Sequence, residues 1–380
     1  MLALAILMAA AAAIAYILIL YPLLLAMLPF KTKPPVAKSF DHQPQVTAIV
    51  AVHNGAEFVR AKLESLLALD YPRERLRMIV VSDGSTDATE SIVREFAHRG
   101  VELLPAPREG KAAALNRALA MASGEILFFT DVRQPLDGAA LRHLAANFAD
   151  PSVGAVTGEM RLERGDRGEQ ADMDLYWRYE IWARAKHSAI DSLFQVTGCI
   201  YAMRRSLAAP LPPDTLSDDA VLPLRAFFAG YRVVFDPAAI AIDHPAKAGT
   251  EFRRRRRNLG GLWQVFARHP RLFTERRMRV HFLSHKFARL MLPWALIAAV
   301  LATVGLPPGW FRDWNLAGAA GLLALALIDA AIPSKFFLKR ISSPARTFLA
   351  MNLASLLALG VFFTDARRMW KSTQVERGES

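Results

Sequence analysis

Four aspartates and one lysine, each placed just beyond an apolar run or at the start of a helical pattern, are the residues in this chain best suited to chemistry. The run Val80-Val81-Ser82-Asp83-Gly84-Ser85-Thr86-Asp87 leaves a buried strand on a carboxylate and turns through Gly84 into a helix. Ser85 or Thr86 is expected to cap that helix, with Asp87 beside it. Asp83 is left over, free to accept hydrogen bonds from a base or a ribose. Thr130-Asp131 follows the apolar stretch 125–129, so Asp131 emerges where a carboxylate can hold a divalent cation against a diphosphate. Glu109-Gly110-Lys111 opens a helical pattern, and a lysine beside free backbone N–H groups and a positive dipole end suits an anionic group. Leu216-Ser217-Asp218-Asp219 precedes an amphipathic stretch carrying Leu222, Leu224, Phe227 and Phe228. Acids there serve as capping charges, and they also offer the base that an attacking hydroxyl needs.

These side chains need a scaffold that brings distant positions together. Short apolar runs at 46–52, 77–82, 101–105 and 125–130 alternate with amphipathic stretches at 57–69, 86–98 and 111–121, the pattern of an α/β layer domain with a largely parallel sheet. Open sheets of this kind bind ligands at the carboxyl ends of their strands, so His53, Asn54, Asp83, Lys111 and Asp131 are expected to share one site. Beyond Leu136 the alternation gives way to helices, a Pro-rich joint at 210–213 and a last strand pair near 232–242. That half is expected to face the acceptor. There is no internal repeat and no dinucleotide or P-loop glycine motif. The lone cysteine, Cys199, cannot form an internal disulfide and is expected to be an inert small hydrophobe.

The chain has 380 residues, 53% hydrophobic and 22% charged, which excludes a disordered protein. Its apolar excess lies at the two ends. Residues 1–30 carry no charge and are followed by Lys31 and Lys33, enough apolar length for one crossing of a bilayer, with the following chain cytoplasmic. A cleaved signal peptide fits less well, because the segment lacks a basic start. Three further apolar stretches, 290–306, 314–332 with Asp329 near its end, and 347–364, predict a membrane bundle. Both 335–346 and 367–371 are basic and each favours the cytoplasm, so one segment is expected to be re-entrant or interfacial. The net charge of +12 is better explained by anionic headgroups beside these spans than by nucleic acid. Five arginines at 253–257 run into Asn258-Leu259-Gly260-Gly261-Leu262-Trp263, which suits a membrane-surface helix or close packing on a ligand.

Taken in order, the stretches 48–55, 82–87, 110–118, Thr130-Asp131, 217–225 and 253–264, closed by apolar helices, resemble the inverting family 2 glycosyltransferases of the membrane-embedded, processive type, which include cellulose, chitin, hyaluronan and poly-N-acetylglucosamine synthases. The resemblance covers essentially the whole chain. It implies a GT-A nucleotide-sugar domain between N-terminal and C-terminal transmembrane helices. The expected divisions are a helix at 1–30, the GT-A domain at 31–250, a basic interface segment at 251–288, transmembrane segments at 289–364 and a tail at 365–380.

The same resemblance implies that His53, Asn54 and Asp83 meet the nucleoside, that Lys111 lies near the diphosphate, and that Asp131 holds Mg²⁺ or Mn²⁺. Asp218-Asp219-Ala220-Val221-Leu222 matches the family's Glu-Asp-x-x-Leu, making Asp219 the catalytic base with Asp218 beside it. The segment 198–205 would lie under the acceptor sugar, and Arg254, Arg257 and Trp263 fall near a cationic motif for the leaving diphosphate. Two departures stand out: Arg133 replaces the second carboxylate of the metal motif, and Asn258 stands where a tryptophan is expected. An arginine cannot ligate a metal, though it can neutralise a phosphate. The implied partners are a nucleoside-diphosphate sugar, a lipid-linked or glycan acceptor and membrane lipids. The implied location is the inner (plasma) membrane, multi-pass, with the catalytic domain cytoplasmic. The alternatives are a polyprenyl-phosphate single-sugar transferase and a non-catalytic nucleotide-sugar-binding membrane protein.

Overall fold

The structure, a computed structural model, describes residues 1–162, 170–243, 248–333 and 336–364, apart from the side chains of 170–176 and 248–251. The basic tail at 365–380 and Lys335 lie outside the described residues. The chain divides into two compact units: described residues 31–162 and 181–243 form one, and 1–30, 170–180, 248–333 and 336–364 form the other.

The first unit is built on a seven-stranded sheet. Its strands are β1 (Val46–Val52), β2 (Leu76–Asp83), β3 (Val101–Ala106), β4 (Ile126–Phe129), β5 (Val153–Leu162), β6 (Tyr201–Arg204) and β7 (Arg232–Asp243), in the spatial order β3-β2-β1-β4-β6-β5-β7. β1 runs parallel to β2 with Val46 opposite Leu76 and Val52 opposite Ser82, and β3 and β4 continue the parallel set. β6 alone is inverted, antiparallel to both β4 and β5. The central strands are apolar and β-branched because both their faces are covered: every residue of β1 except Ala51 is buried. The helix Ala56–Leu67 covers one face through Val59, Leu63 and Leu66, spaced four and three apart. Each such side chain contributes about 1.5–3 kcal/mol by leaving water.

Two expectations are corrected here. The strand pair near 232–242 is one twelve-residue strand, β7, whose partner is β5; β5 and the four-residue β6 lie in the stretch where the strand–helix alternation was expected to end. The helix after β2 begins at Thr89, and its N-cap, Ala88, makes no side-chain cap. Ser85 and Thr86 are not caps because the loop after β1 engages them: the Asn54 N–H donates to Ser85 Oγ (3.1 Å) and the Thr86 N–H to Asn54 Oδ1 (2.8 Å), while Asp87 serves the helix start, its Oδ1 accepting the Thr89 N–H (3.0 Å).

The second unit has four helices long and apolar enough to cross a membrane: Leu2–Met27, Arg279–Val304, Trp310–Ala331 and Lys339–Phe362. The last three begin before the apolar runs seen in sequence, because first turns carrying charged residues continue into them. Leu2–Ala15 packs on Ala288–Val304, and Lys339–Ala358 packs on the basic helix Ala248–Arg268. Two polar clusters join these helices. The Asp329 carboxylate is fully buried against Ser342 Oγ (2.7 Å), Lys339 Nζ (3.1 Å) and Arg346 Nε (2.9 Å). Glu180 lies against Lys286 Nζ (3.1 Å), His285 Nε2 (3.3 Å) and Arg289. Burial would raise the Glu180 pKa, but Lys286 and then His285 and Arg289 hold it well below the usual carboxylate range.

Candidate active site

The strand directions decide which residues meet. In β1, β2, β3 and β4, all parallel, the carboxyl ends share one edge of the sheet, and the inverted β6 brings its entry segment to the same edge. His53 and Asn54 follow β1, Asp83 ends β2, Asp131 follows β4, and Gly198 precedes β6.

Lys111 is the hub. It opens the helix Lys111–Met121, and its ammonium bridges Asp131 Oδ1 (2.9 Å) and Asp218 Oδ1 (3.1 Å). Burial alone would lower its pKa, but Asp131 and Asp218 outweigh that effect and hold the amine well above the usual lysine range. Asp218 and Asp219 form the first turn of the helix Asp218–Phe228. Asp219 Oδ2 accepts a hydrogen bond from Gln195 Nε2 (3.0 Å), and the Asp219 carbonyl accepts one from the Val196 N–H (3.0 Å). Burial first, and the Asp218 charge second, push the Asp219 carboxyl up to about 6, against the pull of Lys111 and Gln195. A base poised near neutral pH is the form general-base catalysis favours. Gly198 lies beside this carboxylate: a Cβ there would stand 3.4 Å from Asp219 Oδ2, in ordinary van der Waals contact.

At the end of β2, Asp83 is buried and already engaged. Its Oδ1 accepts the N–H groups of Glu109 (2.8 Å) and Gly110 (2.9 Å), and its Oδ2 meets the Arg108 guanidinium. It therefore anchors the loop that delivers Lys111. Gly84 must be glycine: its φ is +62°, and a Cβ would fall 2.7 Å from the Arg108 backbone nitrogen. His53 Nδ1 lies 2.9 Å from the Asp83 carbonyl, and Asn54, at φ +48°, accepts the Thr86 N–H on its Oδ1 (2.8 Å). Asn tolerates that left-handed conformation better than most residues.

The sheet unit thus gathers His53, Asn54, Asp83, Lys111, Asp131, Asp218 and Asp219. Arg254, Arg257 and Trp263 belong to the helix Ala248–Arg268 of the other unit. Among the described residues no group of three or more acidic, histidine or cysteine side chains is placed to hold a metal ion. Arg133 is turned onto Asp243 at the end of β7 (2.6 Å). One half-exposed carboxylate, Asp131, suits a cation shared with a substrate's phosphates rather than an all-protein cage. Cys199 is buried with its thiol pushed up to about 12 by burial, consistent with an inert residue.

Sequence reasoning missed Gln195, Arg108 and Lys62. Only Lys62 carried a signal: it stands between Val59 and Leu66 on the helix's apolar stripe, and it is fully buried. Burial pushes its ammonium down to about 7.

Comparison with known proteins places this geometry in a family. Residues 47–209 match the model of glycosyl transferase family 2, and residues 136–362 match that of glycosyl transferase family group 2. The chain is 26% identical over 269 residues to the probable glycosyltransferase YdaM of Bacillus subtilis (strain 168), covering 66% of this chain and 63% of that protein. It is 24% identical over 267 residues to the poly-beta-1,6-N-acetyl-D-glucosamine synthase of Staphylococcus aureus (strain COL), covering 68% and 61%. The matches thus span under two thirds of the length of these relatives. A solved structure of the mannosyltransferase PcManGT from Pyrobaculum calidifontis, in complex with GDP-Man and Mn²⁺, superposes with a TM-score of 0.74 at 27% identity, over 94% of this chain and 98% of that one. The sheet unit has the GT-A fold, and the chain, matched over more than half its length, belongs to glycosyl transferase family group 2.

Proposed function

We propose that the protein is a membrane-bound, inverting glycosyltransferase that moves a sugar from a nucleoside-diphosphate sugar to a hydroxyl of a lipid-linked or polysaccharide acceptor at the cytosolic membrane face. The observation that carries this reading is the convergence of Asp131 and Asp218 on the Lys111 ammonium, with Asp219 next to them in the same helical turn.

In this mechanism Asp219 takes the proton of the acceptor hydroxyl while that oxygen attacks the anomeric carbon. The bond from that carbon to the diphosphate breaks on the opposite face, so the configuration inverts. Lys111 then faces the negative charge collecting on the leaving diphosphate. Gln195 keeps the Asp219 carboxylate turned toward the acceptor, with Gly198 beside it. His53, Asn54 and Asp83 shape the nucleoside end, with Asp83 acting mainly through the loop it anchors. Asp131 is the residue that would hold Mg²⁺ or Mn²⁺, which supplies Lewis-acid neutralisation of the diphosphate. Arg254, Arg257 and Trp263 are assigned to the diphosphate or acceptor side by the family resemblance alone.

The test is a panel of radiolabelled nucleotide sugars, GDP-mannose among them, offered to membranes containing the protein with and without EDTA. Transfer from one donor, lost with EDTA, supports the reading; nucleotide binding with no transfer from any donor overturns it. Sizing the product by gel separates polymerisation, a ladder, from a single addition, one band.

A further inference from the structure

Lys62 is a buried amine that the mechanism above does not use. It has no solvent exposure, and its Nζ donates to Thr130 Oγ1 (2.5 Å) and to the Gln134 carbonyl (2.5 Å), both neutral. An ammonium removed from water with no carboxylate in hydrogen-bond contact is costly by several kcal/mol, whereas a methionine would fill the same place among Val59, Leu63 and Leu66 and give up only the two hydrogen bonds. Apolar packing alone gives no reason for a lysine here.

Its two acceptors supply one. Thr130 and Gln134 bracket Asp131 and Arg133, so a single ammonium ties both ends of the loop that carries the donor-side carboxylate. The loop's outer arm is fixed separately by the ion pair of Arg133 with Asp243. The network also continues across the site. Thr130 Oγ1, which accepts from Lys62, donates its own hydrogen to the Cys199 carbonyl (2.7 Å). Cys199 follows Gly198, the residue lying against Asp219. One hydrogen-bonded path therefore runs from Lys62 through the Asp131 loop to the backbone beside the catalytic base.

We propose that Lys62 is a positioning residue that fixes the Asp131 loop against the Gly198–Cys199 backbone and so sets the spacing between the donor's diphosphate and the acceptor's base. The proposal rests on the assignment of Asp131 and Asp219 to those two sides. Misplacement of reacting groups by about 1 Å costs on the order of 10²-fold in rate, so the effect of losing Lys62 falls on kcat and leaves the donor KM nearly unchanged.

The experiment uses the full chain purified in detergent, with donor KM, kcat and thermal unfolding measured for Lys62→Met, Thr130→Val, Thr130→Ser, the Lys62→Met/Thr130→Val double variant and Asp219→Asn. The expected result is a kcat reduced by about 10–10²-fold in Lys62→Met and a smaller loss in Thr130→Val. The double variant should be no worse than Lys62→Met, because both changes cut one path, and Thr130→Ser should recover the rate by restoring the hydroxyl. Wild-type kcat in Lys62→Met, or losses that multiply in the double variant, overturns the proposal. Should Lys62→Met fail to fold, the Thr130→Val and Thr130→Ser pair decides: a serine that does not restore the rate sinks it. An active Asp219→Asn protein overturns instead the underlying site assignment, which distinguishes the two failures.

Discussion

Both units bury carboxylates among basic side chains, but in opposite proportion. In the sheet unit three aspartates, 131, 218 and 219, crowd one lysine. In the helical unit one carboxylate at a time is surrounded by cations: Glu180 by Lys286 and Arg289, with the His285 ring alongside, and Asp329 by Lys339 and Arg346. The difference sets how readily each carboxylate takes a proton. Burial and then a neighbouring acid raise the proton affinity of Asp219 toward neutral pH, whereas cations hold Glu180 ionised and fasten helices together.

The largest effect that tests this contrast belongs to Asp219. Asp219→Asn should lower kcat by about 10²–10⁴-fold with the unfolding temperature unchanged, as read by donor-dependent transfer and thermal unfolding of the purified protein. Glu180→Gln should do the reverse. It removes the charge facing the partly buried Lys286 and Arg289 and should cost about 1–3 kcal/mol of stability, while folded molecules keep their turnover; a lost rate without lost stability would place Glu180 among the reacting groups. The pH profile comes next in size. With Asp219 required as its anion and its pKa at about 6, kcat/KM should fall tenfold per unit below that value and level off above it; a profile flat from pH 5 to 8 contradicts the assignment. The smallest effect is Ser342→Ala, which removes one of the hydrogen bonds to Asp329 and should cost about 1 kcal/mol, visible as a small drop in unfolding temperature in detergent.

The legible parts of the molecule are those whose signal is local. Strands β1 to β4 are short, mainly apolar runs bounded by turn residues, and Lys111 and Asp131 lie at helix and strand ends that such runs define, so both elements and candidate residues can be found without coordinates. β5, at Val153–Leu162, begins Val153-Gly154-Ala155 and frays into Glu159 and Arg161, and β6 has only four residues; neither has a pattern that stands out, and what stabilises them is pairing with strands far away in sequence. The same limit hides Gln195, which has no periodic context and matters only because of where the chain brings it. Ser85 and Thr86 mislead for a related reason: their cap-like spacing is real, but the loop after β1 engages them, and Asp87 meets the first helical N–H instead. Lys62 could have been noticed, since a lysine on an apolar stripe contradicts its surroundings, yet its partners lie about 70 residues downstream.

The Asp329 cluster bears on how the last hairpin enters a bilayer. Lys339 and Arg346 are both drawn onto a fully buried carboxylate carried by the preceding helix. Counting lysines and arginines across 335–346 therefore overstates the electrostatic pull on that turn by one charge, because the Asp329 carboxylate offsets one of the two cations it holds within the hairpin. The polar knot ties the two helices into one hairpin, and Lys335, Arg340 and the cluster's surplus cation still leave the stretch basic.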